Sequence, residues 1–320
     1  MISAFFCLIA PFLGMDLIGI RELSESTTAR HIFFSLRLPR TLTGFWAGGC
    51  LALCGMVFQA MFRNPLATPY TLGVSSGASF GASITILTGF TGSFLGVSSV
   101  TLGAFTGAVT AMLLVYGFSS LQKTIVPITM LLAGIAVSFF FSSMLLFAQF
   151  MSNLRHSFQI IRWLMGGVEV IGYDHFSPAL LIINAAGLGI ILWKLVELNH
   201  LLTGDDIARS RGVDVAKTKL LLFFGASLTV SLVVSICGPI GFVGIMAPHI
   251  CRMLFGYDHR ILGLASFIFG GTFLVVCDTF ARTIAAPSEM PVGVVTALLG
   301  GPFFLWVLFR AMKKQGAEIW

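Results

Sequence analysis

The chain alternates long apolar runs with short polar punctuation from end to end. Ten such runs can be placed, over residues 2–20, 41–61, 72–90, 94–118, 124–151, 177–196, 220–237, 239–254, 261–280 and 292–309. About 20 apolar residues rising ~1.5 Å each cross a hydrocarbon core of ~30 Å. The pattern therefore predicts an all-α, polytopic membrane protein of ten transmembrane helices. A segment between the fifth and sixth runs, about 157–166, is too short to span and reads as a helix lying at the membrane interface. The ten runs divide into five and five, which gives the two halves opposite orientations. Each half carries a basic flank, an apolar run and a Gly/Pro break in that order, so two inverted five-helix halves are expected.

Composition narrows the picture further. With 57% hydrophobic and 10% charged residues, and a mean hydropathy of +0.95, a soluble domain is excluded, and the short loops leave no room for one. The net charge of +6 comes from bases scattered at the ends of apolar runs, which fits membrane topology and not nucleic acid. With the amino terminus inside, twelve of the 19 Lys and Arg residues fall on the cytoplasmic side and seven outside. The positive-inside rule then puts both termini in the cytoplasm. Arg37 and Arg40, in Arg37-Leu38-Pro39-Arg40, face outward against that trend. A snorkelling anchor and a functional patch both account for them.

Three further segments stand out. The most polar stretch, 204–217, lies on the cytoplasmic side; Asp205 and Asp206 suit a helix start and Gly212 a positive-φ break, so two short helices turning at Gly212 are expected, with a plain solvated loop as the alternative. Gly73-Val74-Ser75-Ser76-Gly77-Ala78-Ser79 offers either close helix packing or a hydroxyl-lined pathway. Gly238-Pro239-Ile240-Gly241-Phe242-Val243-Gly244 predicts a broken helix, tolerated at membrane depth only where protein covers it or it lines a cavity.

Reaction chemistry is missing. The chain holds no Walker-type phosphate loop, no HExxH, no GxSxG and no paired carboxylates within one run, so no catalytic residue is assigned. His156, His175, His249 and His259 sit at separate span ends, and no metal site is assigned. The six cysteines, none in a CxxC motif, read as buried free thiols. Residues 1–20 lack a basic flank and an A-x-A cleavage site, and read as a first span rather than a removed signal. Only Asp278 lies well inside a run, at i, i+4 from Arg282; an ion pair and a proton relay both fit. A pathway without a motor requires one docked from the cytoplasm, and 204–217 is the natural place. An ion-coupled secondary transporter or channel is the competing class.

Several motifs in order along the chain carry a resemblance. They are Arg37-Leu-Pro-Arg40-Thr-Leu, Asn64-Pro-Leu-Ala67 with Leu72-Gly-Val-Ser-Ser-Gly-Ala78, Ala208-Arg-Ser-Arg-Gly-Val213, Gly238-Pro-Ile-Gly-Phe-Val-Gly244, Pro248-His249 with Asp258-His-Arg260, and Met290-Pro-Val-Gly-Val-Val295 with Leu299-Gly-Gly-Pro-Phe303. Together they resemble the permease family of bacterial ABC importers for iron-siderophores, haem and cobalamin, the FecCD type. The resemblance implies a single transmembrane permease domain over 1–320 in the inner membrane, with a coupling loop at about 200–219. It implies a second permease subunit, in a homodimer, two cytoplasmic ATPase subunits that hold ATP and Mg, and an external substrate-binding protein. The chain itself would hold no cofactor. Binding-protein docking falls by this resemblance on Arg37, Arg40 and Arg282, and ATPase coupling on Arg209 and Gly212. Arg211 stands where the family usually has an apolar residue and receives no role. Ser75, Ser76 and Ser79 are candidates for the translocation pathway. Iron-siderophore is the default cargo, with haem, cobalamin and molybdate as alternatives.

Overall fold

The computed structural model describes residues 2–14, 18–94, 96–121, 127–169, 177–284 and 288–317; His175 lies outside them. Helix α1 (Ile2–Ile9) runs into a 3₁₀ turn, Ala10–Phe12, and a short α2 (Ile20–Glu25) precedes α3 (Thr27–Phe62). Next come α4 (Val74–Thr88), a hairpin of β1 (Ser93–Phe94) and β2 (Val97–Ser98), α5 (Ser99–Ser120), α6 (Pro127–Phe150) and α7 (Leu154–Leu164). The rest of the chain forms α8 (Pro178–Trp193), α9 (Leu195–Leu202), α10 (Asp205–Ser210), α11 (Val215–Cys237), α12 (Val243–Phe255), α13 (His259–Ile284) and α14 (Val292–Ala317).

Every one of the ten apolar runs contains a helix. Among the described residues, six helices are long and apolar enough to cross a membrane, or seven if α8 and α9, bent by 49° at Lys194, count as one span. The two shorter apolar helices are α4 and α12, with 15 and 13 residues. They occupy the third and eighth positions of the ten, the same place in each half. Each follows a Gly/Pro break. Helices ~22 and ~20 Å long are too short to cross ~30 Å of hydrocarbon by themselves, so a full span at either position would have to include the break before it. The two breaks meet, the Ile240 N–H donating to the Tyr70 hydroxyl at 2.9 Å.

Two boundaries differ from the sequence reading. The run at 94–118 begins as the β1–β2 hairpin, and α5 starts only at Ser99, where the Ser98 hydroxyl accepts the Thr101 N–H at 3.2 Å. The span expected over 41–61 is part of α3, which starts at Thr27 and passes through the arginine motif without a break. Pro39 has no N–H and its ring crowds the carbonyl one turn back. The chain accommodates it with a π-helical stretch, Ile32–Arg37, in which the Leu38 N–H reaches back to Phe33. A wider turn at this point preserves the rod.

Glycines set the helix spacing. A Cβ on Gly48 of α3 would lie 2.3 Å from the Gly270 carbonyl of α13, and one on Gly55 would lie 1.9 Å from the Gly244 carbonyl of α12. On α4, Gly77 and Gly81 face Gly107 and Gly103 of α5 at 2.4 and 2.0 Å in the same sense. Both members of that pair thus carry glycine at four-residue spacing, the small-xxx-small pattern that brings backbones together in lipid. Gly77 of the Gly/Ser cluster therefore packs. Helix α7 starts three residues before the short helix expected over 157–166 and ends two before its close, begun by the Asn153 carboxamide accepting the His156 N–H at 2.9 Å, with Arg155 and Phe158 exposed.

Candidate functional site

Charged and polar side chains gather at the two ends of α3. At the end bearing Arg37, the last carbonyls of the first helical segment would otherwise go unpaired. Arg37 donates to Pro11 O and Phe12 O at 3.5 and 3.3 Å, and Arg282 donates to Ala10 O at 3.1 Å. Two cations at a helix carboxyl terminus also suit its dipole. Arg40 grips Asp278 with Nε and Nη2, at 2.8 to 3.1 Å, and reaches Glu289 at 2.6 Å with Nη1. Asp278 also lies 3.3 Å from Arg282 Nε, an ion contact without hydrogen-bond alignment. The i, i+4 pair read from sequence is present, and it is shared with Arg40.

The structure thus brings Arg37, Arg40 and Arg282 together, as one surface would require. Their guanidiniums nevertheless turn inward. Arg40 is 9% exposed and Arg282 6%, while Arg37 is half-buried. An exposed patch built from all three is not what the fold presents, because Asp278 and the Ala10 to Phe12 carbonyls compete successfully for the charges. Exposed basic groups occur one to two turns upstream on α3, at Arg30 and His31. Sequence reading missed both, because it ended the span at Arg40.

Between the ends lies the junction of the two breaks. A cavity of about 270 Å³ opens beside it, lined by Gln159, Arg162, Trp163, Gly166, Glu169 and Gly238 among others. The segment after α7 seals one side, with Gly167 N–H donating to Cys237 O at 2.8 Å and Gly293 N–H to Gly166 O at 3.2 Å. The broken segment is therefore both covered by protein and adjacent to a cavity. Phe242, at φ 67°, turns its ring onto Gly300, where a Cβ would come within 2.1 Å. Ser76 and Ser79 donate to Gly73 O and Ser75 O of their own helix, at 3.0 and 2.9 Å; Ser79 is buried, Ser75 and Ser76 half-buried.

The opposite end of α3 meets the polar loop. Helix α10 runs from Asp205 to Ser210, and Gly212 turns at φ 81° into α11, whose amino end is capped by Asp214 accepting the Lys217 N–H at 3.1 Å. No atom lies within 4 Å of a Cβ placed on Gly212, so backbone conformation alone demands glycine there. Arg209 is exposed and pairs with Asp206 of its own helix at 3.2 Å. Asp205, partly exposed, contacts Arg63 and Lys219 at 2.6 Å each. Partial burial works against its charge, but Lys219 and then Arg63 outweigh that and hold its carboxyl below the usual range. Neither Arg63 nor Lys219 was singled out from sequence, because their partner lies far along the chain.

Residues 2–310 match the model of the FecCD transport family. The chain is 40% identical over 281 residues to the cobalamin import system permease protein BtuC of Halobacterium salinarum, covering 88% of this chain and 74% of the relative. It is 35% identical over 295 residues to the hemin transport system permease protein HmuU of Yersinia pestis, covering 89% and 85%. A solved structure described as a metal-chelate type ABC transporter in an inward-facing conformation superposes with a TM-score of 0.83 at 28% identity, covering 96% of this chain and 97% of that one. The chain belongs to the FecCD transport family, as a permease subunit of the ABC importer type.

Proposed function

We propose that the protein carries a metal chelate, most simply an iron-siderophore, from an external binding protein through the inner membrane of the cell. The full-length family match carries this reading, together with the likeness to cobalamin and hemin permeases and to a metal-chelate transporter. Haem, cobalamin and molybdate are the alternative cargoes. Two copies form the pathway, both termini lie in the cytoplasm, and two ATPase subunits bind ATP and Mg on the loop containing Arg209 and Gly212.

Docking of an acidic-faced binding protein occurs at the end bearing Arg37, Arg40 and Arg282. Arg40 and Arg282 shape that face from within, Arg37 borders it, and Arg30 and His31 supply exposed positive charge. Nucleotide-driven closure of the ATPases pushes on the loop and biases the bundle between openings, which requires contacts that differ between two states. The cargo crosses beside the junction of the two breaks, with Ser75, Ser76 and Ser79 near its path, and leaves chemically unchanged. Such paired interruptions at corresponding positions mark transport sites in inverted-repeat transporters.

The test is uptake into proteoliposomes holding this chain with its ATPase and binding protein. ATP-dependent accumulation of a ferric siderophore, in preference to haem, cobalamin and molybdate, is the expected result. Accumulation of another of these would reassign the cargo, and uptake without nucleotide would overturn the importer reading.

A further inference from the structure

Helix α3 ends in an unusual way. Its last turn is closed by Arg63 at φ 49°, a left-handed conformation that costs free energy for any residue with a side chain. Glycine is the common choice at such a position. The Arg63 guanidinium explains the exception. Its Nε and Nη2 both donate to Leu201 O of α9, at 3.2 and 2.8 Å, and Nη2 also meets Asp205 at 2.6 Å. The second oxygen of Asp205 accepts from Lys219 at 2.6 Å, and Lys219 is only 6% exposed at the start of α11. One carboxylate at the head of α10 thus joins three helices.

The tie continues inward. One turn before Arg63, the Gln59 carboxamide donates to Gly244 O at 3.2 Å and accepts from Arg252 at 2.8 Å. Both partners belong to α12, the short helix that follows the second break. A displacement of α10 is therefore connected, through charged hydrogen bonds and then a rigid helix, to the junction beside the cavity.

We infer that Asp205 is a positioning residue that transfers movement of the ATPase-contacting loop to α3 through Arg63, instead of letting the loop absorb it. The inference rests on the importer reading above. Allosteric coupling is reciprocal, so nucleotide state at the loop end should alter binding-protein affinity at the other end by the same factor that the binding protein alters nucleotide affinity. Arg63 carries the arm to α3, and its loss should cut that factor while leaving the pair of Asp205 with Lys219 intact.

The experiment measures binding-protein affinity for the reconstituted importer, without nucleotide and trapped with ATP and vanadate. The Arg63→Gln variant should assemble with the ATPase and keep its basal hydrolysis, while the ratio of the two affinities moves at least about fivefold towards one, the lower end of common coupling factors. Arg63→Lys, which retains the charge facing Asp205, should restore part of the ratio. Because Asp205→Asn would weaken the hold on the buried Lys219 ammonium as well as the arm to Arg63, the second probe is Asp205→Lys combined with Lys219→Asp, which reverses the first pair and sets a like charge against Arg63. It should show the same collapse. A wild-type ratio in Arg63→Gln, or a ratio of one in the wild type, overturns the inference and leaves the importer reading standing. Failure of the wild-type chain to bind any ATPase subunit overturns that reading and the inference with it.

Discussion

The two ends of α3 hold comparable numbers of charged groups and use them in different ways. At the Arg37 end, Asp278 is 2% exposed and lies between two arginines that are themselves buried. At the loop end, Asp205 also lies between two cations; Lys219 is buried, but Asp205 and Arg63 remain partly open to water, so the arm between those two is the hydrated one. Charges removed from water depend wholly on their partners, whereas charges still hydrated can exchange them at small cost. The first end is therefore built to hold one arrangement. The second is built to change.

This contrast can be broken most decisively at Asp278. Asp278→Ala removes the buried carboxylate shared by two buried guanidiniums, leaving Arg40 with Glu289 and Arg282 with the Ala10 carbonyl, and should cost about 3 kcal/mol, read from chemical denaturation in detergent; a loss below about 1 kcal/mol would erase the distinction between the ends. Gly55→Ala probes the stretch between them. The added methyl meets the Gly244 carbonyl backbone, and a loss of about 1–3 kcal/mol is expected, whereas Gly117→Ala, with open space around it, should be neutral or better. Asp205→Asn should cost less than Asp278→Ala, about 1–2 kcal/mol after allowing for its exposure. Its folded carboxyl titrates below the usual range, so the contribution of this pair is complete above that range and fades only as pH falls through the depressed value. A melting profile of the wild type against Asp205→Asn should converge on acidification. The smallest effect is expected at Arg30→Glu, up to about a fivefold loss of binding-protein affinity that shrinks as salt is raised.

The sequence pattern reached the architecture and stopped short of the contacts. Ten apolar runs, the short helix after the fifth of them and the turn at Gly212 follow from local periodicity and glycine chemistry, and all are local properties. The pair of Asp278 with Arg282 was visible for the same reason, being one helical turn apart. The grip of Arg40 on Asp278, the tie of Arg63 to Asp205 and the meeting of Tyr70 with Ile240 join positions more than a hundred residues apart. No spacing rule reports such pairs. The arginine motif shows the cost: the span count set it on the outer side and the family resemblance made it a docking patch, while the carboxylates that occupy Arg40 lie more than two hundred residues further along the chain. The start of α3 was hidden for a different reason, since Pro39 signals a helix boundary in most contexts and here a π-helical stretch carries the helix past it.

That continuity has a mechanical consequence. From Thr27 to Phe62 the 36 residues form one helix, roughly 54 Å long at ~1.5 Å per residue. Pivoted where Gly48 presses on Gly270, a rod of that length works as a lever: a tilt of about 5° swings each tip by about 2 to 3 Å in opposite senses. Arg40, only eight residues from that pivot, would move about 1 Å, so the locked contacts with Asp278 sit near the fulcrum and the hydrated contacts of Arg63 ride near a tip, where a shift of that size can exchange them.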